Sequence, residues 1–509
     1  MYSCFVDFSK AFDSIPRDIL FEKLISKGIK GKVFNLIKNI YVHEKCKVKI
    51  GGYLSETFDV NQGVRQGCIL SPLLFNIFIS DLPELLDTPE NMPAKIDNNK
   101  NISCILWADD LVMLSESEDG IRKMLEKLEA FSSKNGLLIN EDKSKCMIFN
   151  KTGRHIRCNF PCGKLTLSSV REYKYLGFVI TPSGEIVTGL KDLHSRALYA
   201  MVQLRKKLGE SFRQHIDISF HLFDALIKPI LLYCSDYWGV LKLPKNNPIE
   251  LIHMKFLKQL LGVQTQTSNT GILLETGRVP LMTYAIKNCI KNWNRIANEK
   301  NCNSLIYDSY VNIVENDLDW YKNITLHLNQ MGLGYILQGN ESSPARVVFQ
   351  RAADIFHQNA FMEIANENSK LRTYNLVKKE IREEPYLKAV INAKDRISLT
   401  KFRLSNHKLM IEKGRHLNID KSLRKCPFCP LIEDELHFLV NCKMFAPLRE
   451  ELMNNVQYTL TGTNFKEMTD QGILIILLEN IEIAPLVAKY LRRSMELREF
   501  LIENHKQHV

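Results

Sequence analysis

Two apolar runs in this chain end on carboxylates, and that pairing limits the fold more than any other feature. Cys4-Phe5-Val6-Asp7-Phe8 carries one Asp, and Ile105-Leu106-Trp107-Ala108 leads straight into Asp109-Asp110. Runs this short and this apolar read as buried β-strands. A carboxylate at the end of such a strand is costly unless positive charge is set against it. Two such centres imply neighbouring strands whose carboxylates share divalent cations, and hard oxygen ligands select Mg²⁺ or Mn²⁺. Two ions about 4 Å apart are the arrangement that activates a hydroxyl and stabilises a leaving pyrophosphate in an in-line displacement. By itself an Asp-Asp pair is a common helix cap or turn decoration. The elements around it give it weight.

Tyr2 to Phe8 is the first expected strand. Ser14 and Pro16 then announce a helix that runs through Leu24. Ser71, a capping residue with Pro72 at the first helical position, opens a helix from Leu73 to Leu82. That segment is apolar almost all round and is expected to be buried. Residues 83–101, rich in Pro and Asn (Asn98 and Asn99 among them), read as a surface connection. Ile102 to Leu114 reads as two short strands joined by a tight turn at the acidic pair. Ile121, Met124, Leu125, Leu128 and Phe131 recur at helical spacing, and Gly136 is placed to end that helix. Cys146 to Phe149 and Tyr175 to Ile180 are expected as further strands. From about residue 186 onward nearly everything is helical in pattern, with a charged stretch from Lys378 to Lys394.

Strand-Asp, helix, then strand–Asp-Asp–strand is the order a polymerase palm needs, because its metal ligands come from adjacent strands backed by a helix. The wording matches too. Phe5-Val6-Asp7-Phe8-Ser9-Lys10-Ala11-Phe12-Asp13 resembles the first catalytic motif of reverse transcriptases. The segment from Gly63-Val64-Arg65-Gln66-Gly67 through Ser71-Pro72-Leu73-Leu74-Phe75 resembles their second. Trp107-Ala108-Asp109-Asp110 resembles the third, with Trp where the family usually has Tyr or Phe. Gly136-Leu137, Asn140 and Lys143-Ser144-Lys145 resemble the fourth, and Tyr175-Leu176-Gly177 the fifth, the primer grip. The first two motifs point to non-LTR (LINE-type) retrotransposons rather than retroviruses.

The resemblance implies an RNA-directed DNA polymerase acting on an RNA template, a DNA primer or target, and dNTPs. Asp7 and Asp109 would be the main Mg²⁺ ligands, with Asp110 a weaker ligand or a structural carboxylate. Phe12 stands where the family places the aromatic that clashes with a ribose 2′-hydroxyl; the alternative reading is a plain core aromatic. Gln66 and Gly67 would face nucleotide and template, since glycine lets backbone approach a ligand closely. Lys143 is either the proton donor to the leaving pyrophosphate or a solvated lysine.

Near the C-terminus, Cys426, Cys429, His437 and Cys442 form C-x2-C-x7-H-x4-C. That donor set fits a tetrahedral Zn²⁺ site with no open position, hence a structural metal; the bland alternative is four unlinked residues of a reduced protein. LINE-type elements carry a Cys-Cys-His-Cys motif after the reverse transcriptase, which implies contact with RNA or target DNA.

The expected fold class is therefore α/β, an α+β polymerase palm followed by largely α-helical regions with a small zinc module. The divisions are a partial palm at 1–182, a helical thumb or connection at 183–300, a helical linker at 301–420, and the zinc module with C-terminal helices at 421–509. Thirteen cysteines at mostly irregular spacing, with no secretory signal ahead of them, argue for a reducing compartment, in nucleus or cytoplasm. The most apolar run, Ile473 to Leu478, falls far short of the ~20 residues of a membrane span. A net charge of +11 is compatible with a polyanionic partner and also with many proteins that have none. Asp7 lies only six residues from the start, ahead of which a complete family member has a fingers region. A truncated copy is therefore expected, and a catalytically silent nucleic-acid-binding remnant is the rival reading. A group II intron maturase fits less well.

Overall fold

A computed structural model describes all residues except 97–99, 245, 300–303, 339–342, 367–368 and 508–509. Asn98, Asn99 and the division expected at 300–301 lie outside the described residues. The chain forms two compact units, Met1–Gly189 with Asn301–Asn316, and Leu190–Lys300 with Asp317–Val509.

The first unit is organised by a four-stranded antiparallel sheet. Its strands are β1 (Tyr2–Asp7), β2 (Cys104–Trp107), β3 (Asp110–Ser115) and β4 (Lys145–Ile148), in spatial order β4-β1-β3-β2. Residues opposite one another in such a ladder share a face, and alternate residues change face. Cys4, Val6, Leu111, Met113 and Cys146 therefore lie on one side, where they join the main core. Phe5, Val112 and Met147 lie on the other, under a smaller cluster with Tyr173 and Tyr175. Asp7 is two residues on from Phe5 and opposite Asp110, so both carboxylates project from that second face.

Helices cover the first face. They include α1 (Arg17–Ser26), α2 (Ser71–Ile79) and α3 (Glu118–Asn135), which supply Leu20, Leu24, Leu74, Phe75, Phe78, Met124, Leu125 and Leu128 to the core. The ends of α3 follow the sequence signals: the Ser117 side chain accepts from Gly120 N–H, and Gly136 closes the helix at φ 67°. The start of α2 does not follow them. Ser71 sits inside the helix, and its hydroxyl donates to the Arg65 carbonyl 2.5 Å away instead of capping. The helix also ends at Ile79 and buries one face only, Leu73 being 57% exposed.

Two further expectations need correction. Residues 83–101 are not wholly a surface loop: Asn91 is fully buried, donates to the Leu86 carbonyl, and accepts through its own carbonyl from the Ser115 hydroxyl. Buried amide and hydroxyl groups that satisfy one another make a polar segment a packing element. Tyr175 to Ile180 is a hairpin rather than one strand, formed by β5 (Tyr173–Tyr175) and β6 (Phe178–Ile180). Leu176 and Gly177 turn the chain at φ 44° and 84°.

In the second unit helices dominate, from α4 (Val187–Leu208, which begins in the first unit) through α5 (Ala393–Arg403) to α6 (Ala484–Gln507). Part of the charged stretch is interior rather than solvated. Lys378 is fully buried on Glu384, and the equally buried Arg403 pairs with Glu275 at 2.8 Å and Glu384 at 2.6 Å. No single helix among the described residues is long and apolar enough to cross a membrane.

Candidate active site

The β2–β3 hairpin presents the acidic pair. Trp107 pairs with Asp110, and the two residues between them make the turn, with Ala108 left-handed at φ 53°. A non-glycine residue is held there only when the surrounding structure over-determines it. β1 then sets Asp7 directly across from Asp110. The end of β1 is pinned by the segment before β4: Asp7 N–H donates to the Ser144 hydroxyl at 3.1 Å, and its carbonyl accepts from Asn140 N–H at 2.9 Å.

The three carboxylates feel one another. Burial, followed by the charges of Asp109 and Asp7, pushes the Asp110 carboxyl above its ordinary range, while Lys143 opposes the shift. Lys143 is two-thirds exposed and lies 3.4 Å from Asp7 Oδ2. Clustered, partly buried carboxylates of this kind are a donor set suited to a hard divalent cation, which would cancel their repulsion. Burial and then Asp110 also raise the phenols of Tyr173 and Tyr175, which stack on Phe5 at 4.3 Å and lie 5.6 Å from it. The fifth motif thus rests on the carboxylate face.

Phe12 is half-buried and stacks on Phe75 with ring centroids 5.0 Å apart, so its ring packs on the core while remaining partly exposed. Gln66 Nε2 donates to both carboxylate oxygens of Asp13 at 2.9 and 3.0 Å. Gly67 has φ 82° with open space where a Cβ would stand, whereas a Cβ on Gly63 would lie 2.6 Å from the Asp13 carbonyl.

Sequence reasoning missed the residues that hold this loop. Arg17 donates to the carbonyls of Gly63 and Tyr41 and ion-pairs with Glu44, which also takes Arg65 Nε at 2.6 Å. The arginine side chain lies over the Tyr41 ring, 5.2 Å from its centroid. Nothing local marks Arg17 or Glu44, because their partners are 21 residues away and more. Breaking a buried pair by removing one partner costs ~3–5 kcal/mol. Glu44→Ala is expected to lose about that much in chemical denaturation, whereas a surface glutamate would lose under ~1 kcal/mol.

The second cluster is in the other unit. Cys426, Cys429, His437 and Cys442 bring their ligand atoms within 4.8 Å of one another. Cys426 and Cys429 Sγ lie 3.9 and 3.8 Å from Cys442 Sγ. Zn–S bonds of ~2.3 Å in a tetrahedron place sulfurs about 3.8 Å apart. Neither ring nitrogen of the buried His437 has a hydrogen-bond partner among the described residues, which leaves a lone pair available to a metal. The thiol hydrogen bond from Cys426 pulls Cys442 down toward the thiolate.

A turn and a helical irregularity bring these four together. Cys426 N–H donates to the Leu431 carbonyl, which closes the first two cysteines into a tight turn. In an α-helix, positions five apart point about 140° from one another. His437–Asn441 is instead a π-helical turn, closed by Cys442 N–H to the His437 carbonyl at 2.7 Å. The wider turn aligns the two side chains.

A family description, Reverse transcriptase (RNA-dependent DNA polymerase), matches residues 2–180, the span that holds the sheet and the three carboxylates. The match takes in nearly all of the main segment of the first unit. The chain also resembles non-LTR retrotransposon polymerases. It is 25% identical over 266 residues to the RNA-directed DNA polymerase of the mobile element jockey from Drosophila funebris, covering 51% of this chain and 28% of that protein. It is 30% identical over 201 residues to the Pol polyprotein of the R2DM element of Drosophila melanogaster, covering 36% and 18%. An R2 polyprotein from Nasonia vitripennis is 28% identical over 302 residues, covering 54% and 28%. The matched segments span less than a third of the length of these curated relatives. Among solved structures, telomerase from Candida albicans aligns at a TM-score of 0.28 and 15% identity over 69% of this chain and 49% of that one.

Proposed function

We propose that this chain is an RNA-directed DNA polymerase that adds deoxynucleotides to a primer 3′-hydroxyl. The observation that carries the reading is the clustering of Asp7, Asp109 and Asp110 where the end of β1 meets the β2–β3 turn, inside the span that matches the reverse transcriptase family. Asp7 and Asp109 would hold two Mg²⁺ or Mn²⁺ ions, with Asp110 beside them, and such ions supply activation of the attacking hydroxyl and stabilisation of the leaving pyrophosphate. The protein's own share is positioning. The hairpin turn at Ala108 fixes Asp109, and the Ser144 and Asn140 contacts fix Asp7. Lys143, exposed beside Asp7, is placed to turn toward a departing pyrophosphate and give it a proton from Nζ. Gln66, Gly67 and the loop held by Arg17 form the nucleotide and template side. The Cys/His cluster would hold a structural Zn²⁺.

The test is primer extension by the purified chain on an RNA template with Mg²⁺ or Mn²⁺. Extension is expected. Its absence with both metals, with binding of the primer–template retained, would instead favour a silent nucleic-acid-binding protein. A sharper check concerns Phe12. If its ring blocks a ribose 2′-hydroxyl, Phe12→Ala should raise kcat/KM for ribonucleotides relative to deoxynucleotides by ~10–200-fold, the range that small steric differences supply. An unchanged ratio would reduce Phe12 to a core aromatic.

A further inference from the structure

Phe12 and Gln66 are held to one another by contacts outside the carboxylate cluster. Lys10, left-handed at φ 50°, opens a helical turn, Ala11–Ser14, that carries Phe12 and Asp13 side by side. Successive residues of such a turn point about 100° apart. Phe12 therefore stacks on Phe75 while Asp13 stands exposed. The loop ahead of α2 lies against this turn. Gly63 N–H donates to the Ile15 carbonyl and Val64 N–H to the Phe12 carbonyl, both at 2.8 Å. With a Cβ at 63 only 2.6 Å from the Asp13 carbonyl oxygen, glycine alone permits the approach.

Gln66 completes the contact with its side chain. Its amide nitrogen donates to both oxygens of Asp13, at 2.9 and 3.0 Å. A carboxylate only accepts, so it takes the NH₂ end of the amide and cannot take the carbonyl end. The Gln66 carbonyl oxygen is left without a donor among the described residues, on an exposed side chain. An amide held in this way offers an acceptor. A hydrogen bond between two exposed groups adds little to folding, because water replaces it readily. Its effect is on direction.

We propose that Asp13 is a positioning residue that holds Gln66 with its amide oxygen outward, so that this side of the site accepts a hydrogen bond from a sugar hydroxyl. The inference rests on the proposed polymerase activity, which puts nucleotide and template on this side. Two hydroxyls answer to that chemistry: the 3′-hydroxyl of an incoming deoxynucleotide and a 2′-hydroxyl of an RNA template. Without the carboxylate the amide can turn either end outward, and the preference for a donor is lost.

The test measures nucleotide affinity of the full chain on a primer ended by a dideoxynucleotide, so that no bond can form. Deoxynucleotide is compared with dideoxynucleotide on one template, and an RNA template with a DNA template of the same sequence. The wild type is expected to prefer the hydroxyl in at least one comparison, and the comparison that shows it identifies the hydroxyl. Asp13→Asn, whose amide can offer Gln66 either end, should cut that preference ~3–10-fold, the scale of one neutral hydrogen bond, and leave thermal melting unchanged. Adding Gln66→Glu to Asp13→Asn exchanges the partners: an amide at 13 then donates to a carboxylate at 66, and an acceptor faces outward again. This double variant should recover most of the preference. A merely structural role would weaken all ligands together and leave the ratios alone. Extension of an ordinary primer is scored separately, and its absence beside ratios that behave as expected would overturn the polymerase reading while supporting this one. A wild type with no preference for either hydroxyl, or ratios that Asp13→Asn leaves unmoved, would overturn the assignment of Asp13.

Discussion

Replacing Asp109 by Asn is expected to abolish primer extension, with a fall of ~10²–10³-fold or more, the scale on which one preorganised electrostatic group acts at a reacting centre. Asn keeps the size of Asp and can still satisfy the turn at Ala108, so folding should survive; thermal melting of the variant checks this. What Asn lacks is the charge that a hard cation needs. Asp7→Asn should behave the same way, since it too faces the shared site from the opposite strand. Asp110→Asn should cost less. Its carboxyl is pushed up by burial and by the charges of Asp109 and Asp7, which favours its neutral form. Extension that persists in Asp109→Asn at wild-type rate would mean these carboxylates are not the catalytic ones.

Stripping metal from the Cys/His cluster is expected to have the largest effect on stability. Structural zinc in small finger peptides carries an apparent ~10–16 kcal/mol at pH 7. Even a third of that would lower the thermal midpoint of a unit this size by roughly 5–8 °C, at ~1.6 °C per kcal/mol. Metal analysis should find about one zinc per chain, and a strong chelator or Cys442→Ser should produce the shift. The cluster is tied into its surroundings. Cys442 accepts from Arg449 through its carbonyl, and Phe438 and Phe445, which lie close in sequence to His437 and Cys442, pack with tilted rings 4.9 Å apart. Losing the metal would therefore loosen the helices around it. A protein that binds no zinc, and a Cys442→Ser variant that melts with the wild type, would return these residues to the status of four reduced side chains.

Much of the catalytic face was legible in the sequence because its signals are local. A short apolar run ending in Asp, an Asp-Asp pair between two such runs, and Ser117 with Gly136 at the ends of an amphipathic stretch all act within a few residues. The fourth and fifth motifs were readable as words, but their positions were not. Only the structure shows the segment of Asn140 and Ser144 bound to the Asp7 backbone, or the β5–β6 hairpin packed against Phe5. Errors arose where a local signal met a distant partner. Ser71 looked like a cap and instead holds the Arg65 carbonyl, while the Asn-rich connection looked solvated and buries Asn91.

The sequence by itself determined which residues can carry the chemistry: three carboxylates on apolar strands, and four soft ligands at closed spacing. Strand periodicity and donor type are properties of neighbouring residues, and no tertiary information is needed to read them. Tertiary structure decided the rest. Register, set by many backbone hydrogen bonds at once, put Asp7 opposite Asp110 rather than one residue away on the other face. A buried network of Arg17, Glu44 and Arg65 shaped the loop at Gly63, and a π-turn aligned His437 with Cys442. Long-range pairing and helix irregularity depend on what the rest of the chain packs against, and so no short window of sequence encodes them.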